Sequence, residues 1–366
     1  MTRKLLEHTI TKSSVSILEA PLTQPFTIST GQHRSLANVL FTVELKNGIK
    51  GYGEAGIATH ITGETVEKTS ANLKSLSKSL IGKNIGDYPS ISSMLNEALP
   101  DNRAAVGASE MAIADALTKS LRIPLWRFFG SSCGILRTDI TIVIQGHDQT
   151  VESARNFYER GFKTFKVKIG LDEDAEIKKL IAIRKTAPGA GLYLDANQGY
   201  TSRKAILLLK TLRKYGIRPE LFEQPVPKND WDGLANVTRE GGVVVCADES
   251  AQTVRDSLDL ISGKYVTALN IKIVKFGMWR AKEVHALARS RGVKLMIGCM
   301  MESSLSATAA AHLAAGLGGF DYVDLDTPFF IKRGHDKNPY LSDTGIYKLS
   351  RNKPGTGIEP RTAHGA

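Results

Sequence analysis

Six side chains in this 366-residue chain are suited to moving a proton beside a bound cation: Lys166, Lys168 and Lys272, with Asp195, Glu223 and Asp248. Two of the lysines fall in Lys-Thr-Phe-Lys-Val-Lys-Ile-Gly at 163–170, where Phe165, Val167 and Ile169 alternate with Lys166 and Lys168. Alternation of period two is a strand, so both lysines project to one face. Taken alone, such a face is most often a solvated one. The acids alter that reading, because each closes a short strand-like stretch: Leu194-Asp195-Ala-Asn197, Phe222-Glu223-Gln-Pro225 and Cys246-Ala-Asp248-Glu249-Ser250. A sixth stretch, Leu269-Asn270-Ile-Lys272, ends in the third lysine, and an eighth ends Asp324-Leu-Asp326.

Three carboxylates brought together repel one another unless a cation sits among them. Oxygen ligands without a His or Cys partner favour Mg²⁺ over zinc, so one Mg²⁺ on Asp195, Glu223 and Asp248 is the expected cofactor. Asn197, Glu249 and Asn270 are placed to orient those ligands or the lysines. For Glu249 a solvent-facing neighbour is the competing reading. Lys168 and Lys272 come from strands on opposite sides of the metal and can flank one substrate carbon. A free lysine, pKa about 10.4, is protonated at neutral pH. The metal and the neighbouring Lys166 are expected to lower it by like-charge repulsion, leaving one lysine as base and the other as acid. With the metal holding a carboxylate beside that carbon, the implied reaction is racemisation or epimerisation. Asp324 and Asp326 share a strand face and could hold an ammonium group; pairing with barrel lysines is the alternative.

The elements that must position these residues are legible in outline. Candidate strands cover 139–145, 164–169, 191–197, 221–225, 243–248, 268–273, 294–300 and 322–326, with helical stretches between such as 174–186, 203–215, 278–291 and 305–317. Eight strands alternating with helices suit a TIM-type barrel, whose chemistry gathers at the C-terminal strand ends. A doubly wound sheet is the alternative, but no GxGxxG follows the first strand. Before the barrel, 7–56 reads as antiparallel strands with an Asn47-Gly48 turn, followed by helices, which suggests a separate α+β domain. The polar stretch 22–35, interrupted by Pro25 and Gly31, reads as a loop. The expected division is a capping domain over 1–128, completed by 331–366, and a barrel over 129–330.

Composition narrows the class. Net charge is +11, but the basic residues are dispersed with no run of five, so nucleic acid is not an expected partner. The start lacks an apolar leader core, and no 18-residue apolar run occurs, so no membrane partner and a cytoplasmic location are expected. Cys133, Cys246 and Cys299 show no CxxC spacing and point to a reducing compartment.

The Phe-Lys-Val-Lys, Leu-Asp-Ala-Asn, Glu-Gln-Pro, Ala-Asp-Glu-Ser and Asn-Ile-Lys motifs, in that order, resemble the enolase superfamily, muconate-lactonising subgroup. The resemblance covers nearly the whole chain and implies a modified (β/α)₇β barrel with an N-terminal α+β cap; such enzymes pair a Lys or His base with Mg²⁺. Asp324-Leu-Asp326, Gly298-Cys-Met-Met-Glu302 and Ile57-Ala-Thr-His-Ile-Thr-Gly63 are similar to the dipeptide epimerases of that subgroup. The resemblance implies that Lys168 and Lys272 exchange the α-proton of a dipeptide's C-terminal residue, while Asp324 and Asp326 bind its α-ammonium. A homo-oligomer is expected. The best-known members act on L-Ala-D/L-Glu from murein peptides and carry an arginine in the first capping loop. Here Gly31 takes that place, with His33 and Arg34 just beyond. Without that cation a second substrate carboxylate would be costly to bury. Phe26, Ile28, Ile57 and Met301, beside Cys299 and Met300, would then line a substrate pocket with a preference other than Glu. Competing readings are o-succinylbenzoate synthase or N-acylamino-acid racemase, which need no ammonium-binding pair, and a non-catalytic binding protein on the same scaffold.

Overall fold

The chain opens on a long antiparallel hairpin in the computed structural model, which describes residues 8–349 and 353–360. The leader-free reading of residues 1–7, and the end of the chain at 361–366, lie outside the described residues. Strand β1 (Ile10–Ile28) pairs with β2 (Gly31–Leu45) from Ile10 opposite Leu45 to Ile28 opposite Gly31. Asn47-Gly48 then turns the chain into β3 (Lys50–Ala55), with Gly48 at φ 81°. The stretch 22–35 is therefore not a loop but the outer end of this hairpin. Pro25 falls in a register break between Pro21 and Phe26, where the ladder demands no N–H. Beyond the break Phe26 and Ile28 are buried and pairing resumes to the two-residue tip at Ser29 and Thr30.

Helices pack on one face of this sheet, chief among them Arg103–Ser120, whose alanines and glycine let it lie close against β3. A Cβ on Gly53 would run into the Ala108 carbonyl, so glycine permits the approach. Val39, Phe41, Val43, Leu73, Leu76 and Ile113 form the apolar centre of this layer.

After β4 (Ile135–Arg137) come the eight parallel strands: β5 (Ile140–Ile142), β6 (Thr164–Lys168), β7 (Gly191–Asp195), β8 (Leu221–Glu223), β9 (Val244–Ala247), β10 (Ala268–Ile271), β11 (Lys294–Gly298) and β12 (Tyr322–Asp324). Each sits inside an expected strand. Neighbours in sequence are neighbours in the sheet throughout. The seam between first and last strand is closed by Asp139 N–H donating to the Val323 carbonyl at 3.0 Å and Thr141 N–H donating to Asp326 Oδ2 at 2.5 Å. The first seven strands are each followed by a helix on the outside, and the last only by a 3₁₀ turn, Thr327–Phe330. This is the (β/α)₇β arrangement beside an N-terminal α+β layer.

The last segment returns to the start of the chain. Strand β13 (Ile346–Lys348) pairs with β4, Lys332 N–H donates to the Pro21 carbonyl, and Thr356 N–H donates to Asp115 Oδ1 at 2.8 Å. No helix among the described residues is long and apolar enough to cross a membrane, and Cys133, Cys246 and Cys299 are free thiols.

Candidate active site

The C-terminal strand ends carry an alternating set of lysines and carboxylates. Lys168, closing β6, donates from Nζ to Asp195 Oδ2 at 2.6 Å and to Asn197 Oδ1 at 3.1 Å. Lys272, just past β10, donates to Asp248 Oδ2 at 2.7 Å and lies 3.7 Å from Met300 Sδ. Four strand positions separate β6 from β10 in the eight-strand order, so the two amines stand across the barrel from each other. Between them Lys166 Nζ reaches Asp324 Oδ2 at 2.6 Å, Glu223 Oε2 at 2.7 Å and Asp195 Oδ2 at 3.0 Å. Both Lys166 and Lys272 are nearly inaccessible to solvent.

This pairing corrects one expectation. Lys166 is not simply a like charge beside Lys168; it is caged by acids. Burial opposes its charge, but Asp195, Asp324 and Glu223 outweigh burial and raise it well above the ordinary lysine value. On Lys272 burial and the expected repulsion from Lys166 both act to lower the ammonium, but Asp248 and Glu223 override them and hold it up. The reciprocal effect holds Asp195 and Asp248 below the usual carboxylate range, against the pull of burial. Glu249 is pushed up to about 8 by burial and by Asp248 and Asp195. It is buried, not solvent-facing, and its Oε1 accepts from Asn197 Nδ2 at 3.3 Å.

The donor set fits a hard divalent cation. Asp195 and Glu223 sit opposite each other on paired strands β7 and β8, and Asp248 follows directly on β9. Each is at most 1% exposed. Among the described residues, Glu249 Oε2 and Asn270 Oδ1 are buried side-chain oxygens with no hydrogen-bond partner, while Glu223 Oε2 meets the Lys166 ammonium. Buried acceptors left without a donor call for a cation. Asn270 Nδ2 fixes the other Glu223 oxygen at 2.6 Å.

The cavity above these groups is lined by Phe26, Ile28, His33, Ile61, Met300 and Met301 on its apolar side, and by Lys168, Lys272, Asp324 and Asp326 on its polar side. Cys299 also borders it, with Sγ against the Asp324 carbonyl and Thr327 Oγ1 at 3.5 Å each. The β1–β2 hairpin forms the roof: Ser29 Oγ reaches the Ala196 and Asn197 carbonyls at 2.8 and 3.0 Å. Asp326 Oδ1 has no partner, whereas Asp324 is already engaged by Lys166.

Ile57 does not reach the cavity. Its side chain joins the apolar centre of the cap, and Ile61, in the short helix Thr59–Thr62 that follows, takes the lining position. Arg34 is exposed and hydrogen-bonded to Gln32 at 3.0 Å, while His33 turns inward. Burial, then His60 and Lys168, hold His33 down to about 4, so the wall there is uncharged. Sequence reasoning missed Lys275, whose Nζ holds Asp248 Oδ1 at 2.7 Å and the Asp248 and Asn270 carbonyls at 2.8 Å. It also missed Asp139, a buried acid whose carboxylate lies close to those of Asp324 and Asp326. No motif flags either one; only tertiary placement does.

Comparison with known proteins agrees with this geometry. Residues 12–130 match the mandelate racemase / muconate lactonizing enzyme N-terminal domain, and residues 149–364 the enolase C-terminal domain-like family. A hydrophobic dipeptide epimerase from Citrifermentans bemidjiense is 43% identical over 94% of this chain and 96% of its own length. An aromatic dipeptide epimerase from Herpetosiphon aurantiacus is 40% identical over 88% of this chain and 91% of its own. The crystal structure of a dipeptide epimerase from Enterococcus faecalis V583, complexed with Mg and the dipeptide L-Leu-L-Tyr, superposes with a TM-score of 0.90 at 30% identity, covering 95% of this chain and 99% of that one.

Proposed function

Because the chain belongs to the mandelate racemase / muconate lactonizing enzyme family, we propose that it is a Mg²⁺-dependent dipeptide epimerase preferring an uncharged, apolar C-terminal residue. The observation that carries this reading is the placement of Lys168 and Lys272 across one cavity, each bonded to a different acid of the cation set. Amines on opposite faces of an α-carbon can remove the proton from one side and return one to the other, which inverts it.

Asp195, Glu223 and Asp248 would hold the Mg²⁺. When bound, the ion would supply positive charge to the substrate carboxylate, stabilising the charge that develops as the α-proton leaves. A cation on those oxygens competes with the Lys168 and Lys272 ammonium groups for Asp195 and Asp248, which favours releasing a proton from one lysine. Asp326, with a free buried oxygen, and Asp324 would receive the substrate's α-ammonium. Phe26, Ile28 and Met301 would close over the side chain. A glutamate carboxylate would meet no cation on that wall and would be costly to desolvate. The names of the similar hydrophobic and aromatic dipeptide epimerases support the same preference. In this reading residues 1–128, with 331–366, form the lid and specificity wall, and 129–330 carry the chemistry.

A dipeptide library incubated in D₂O with Mg²⁺ and followed by mass gain tests the proposal. Labelling of apolar dipeptides is expected; exclusive labelling of Ala-Glu would overturn the preference, and labelling of none would overturn the activity. Lys168→Ala and Lys272→Ala should each reduce epimerisation about 10³-fold. Full turnover in both directions by either variant would refute the two-base assignment.

A further inference from the structure

The cap grips the active-site segment after β11 through two polar residues that no part of the reaction described above requires. Asn38, on β2, is 1% exposed and uses its whole amide: Nδ2 donates to the Met301 carbonyl at 2.9 Å and to Glu54 Oε1 at 2.6 Å, while Oδ1 accepts from Ile57 N–H at 2.9 Å. Glu54, on β3 and 1% exposed, accepts Ser303 N–H at 2.9 Å through Oε1, and Ser303 Oγ at 2.5 Å and Ser306 N–H at 3.3 Å through Oε2. A cap carboxylate therefore seats the N-terminal turn of the barrel helix Ser304–Leu317, where negative charge is favoured. Met301, held by its carbonyl in the first grip, lines the cavity, and Met300, the residue before it, places Sδ 3.7 Å from Lys272 Nζ.

We propose that Asn38 and Glu54 are positioning residues that hold Met300 against Lys272, so that this pair of cap side chains sets the geometry of one of the two proton-transfer groups. Lys168 is reached by a separate tie: its partners Asp195 and Asn197 belong to the barrel, and the cap meets them only through Ser29 Oγ on the Ala196 and Asn197 carbonyls, which Asn38 and Glu54 do not touch. A buried amide that loses its partners moves the segment it holds, and displacement of a proton-transfer group by about 1 Å can cost two orders of magnitude.

The inference rests on the epimerase reading, and its consequence is asymmetric. α-Proton exchange in D₂O is measured separately on the two stereoisomers of one apolar dipeptide at saturation, using the Mg²⁺-loaded full chain. The isomer served by Lys272 is defined as the one whose exchange is lost in Lys272→Ala and kept in Lys168→Ala. Asn38→Ala should slow exchange of that isomer about tenfold more than exchange of the other. Glu54→Gln, which keeps the shape but not the charge, should give a smaller skew of the same sign. Met300→Leu removes the thioether without touching the cap and should reproduce the skew; it covers the case in which Asn38→Ala does not fold. Circular dichroism melts report folding independently. Equal slowing of both isomers in Asn38→Ala, or equal rates in Met300→Leu, would overturn the proposal. Absence of exchange by the unmodified protein would instead overturn the epimerase reading.

Discussion

Gly31 lies directly beneath the His60 ring: a Cβ at position 31 would come 3.0 Å from two of its ring atoms. His60 in turn packs edge-on against His33, with centroids 4.8 Å apart. The position that the resemblance to the Ala-Glu epimerases would give to an arginine is therefore covered by a neighbour's ring. Gly31→Arg should force His60 aside and place a guanidinium near the roof of the cavity. The expected result is a gain of about tenfold in kcat/KM for L-Ala-L-Glu and a loss for apolar dipeptides, in line with one charge-assisted hydrogen bond. Unchanged relative kcat/KM values across a small dipeptide panel would show that the hairpin does not set side-chain preference.

Removal of divalent cations should abolish activity without unfolding the protein. The acids proposed to hold the ion are already neutralised by Lys166, Lys168, Lys272 and Lys275, so the barrel does not depend on Mg²⁺ to offset their charge. Chelation followed by calorimetry should shift Tm by only a few degrees, and Mg²⁺ should restore turnover. A collapse of the folded state on chelation would contradict this charge balance.

Lys275 carries a structural load that its sequence position conceals. It is 1% exposed and donates to one carboxylate oxygen and two carbonyls. Lys275→Met leaves these acceptors without their donor, and loss of one partner from a buried ion pair costs about 3 kcal/mol or more. Urea unfolding should register that loss, together with weakened Mg²⁺ binding as Asp248 becomes free to turn. Stability within 1 kcal/mol of the parent, on the order of an exposed pair, would refute the assignment.

His312 gives the protein an acid-labile lock. Its Nδ1 accepts Trp126 N–H at 3.0 Å and its Nε2 faces the Thr356 carbonyl at 3.1 Å, which fixes the neutral tautomer with the proton on Nε2. Burial lowers it from 6.5 to about 4, against the Thr356 contact. The unfolded chain therefore binds the proton first. Stability is full above pH 6.5 and declines as pH falls towards 4, by about 3 kcal/mol for this group. His33, also near 4, adds to the slope. Urea midpoints at pH 7, 5.5 and 4.5 should show a shallower decline in His312→Asn than in the parent; equal slopes would remove His312 from the account.

The barrel was legible because each strand is short, follows a helix and ends on a polar residue that a buried sheet would otherwise exclude, as with Asp195, Glu223 and Lys272. Strand ends ran long in the sequence reading because the final residues leave the sheet: Asn197 has φ 39°, already off the strand. The hairpin roof was hidden because Pro25 and Gly31 signal a loop wherever local rules decide, and here the barrel below decides. Asn38, Glu54, Asp139 and Lys275 carry no spacing signal at all. Their partners lie 16 or more positions away, Lys275's contact with Asn270 aside, so their role exists only once the chain has closed on itself.

Asp326 belongs to two structures at once. One oxygen stitches the first barrel strand to the last through Thr141, and the other stands bare over the cavity. A lineage drifting away from ammonium-bearing ligands could not discard this side chain freely, since the joint of the cylinder would lose one of its bonds and rest on the Asp139–Val323 backbone contact. Selectivity is thus tethered to architecture, and divergence has an easier route through the hairpin roof than through the barrel wall.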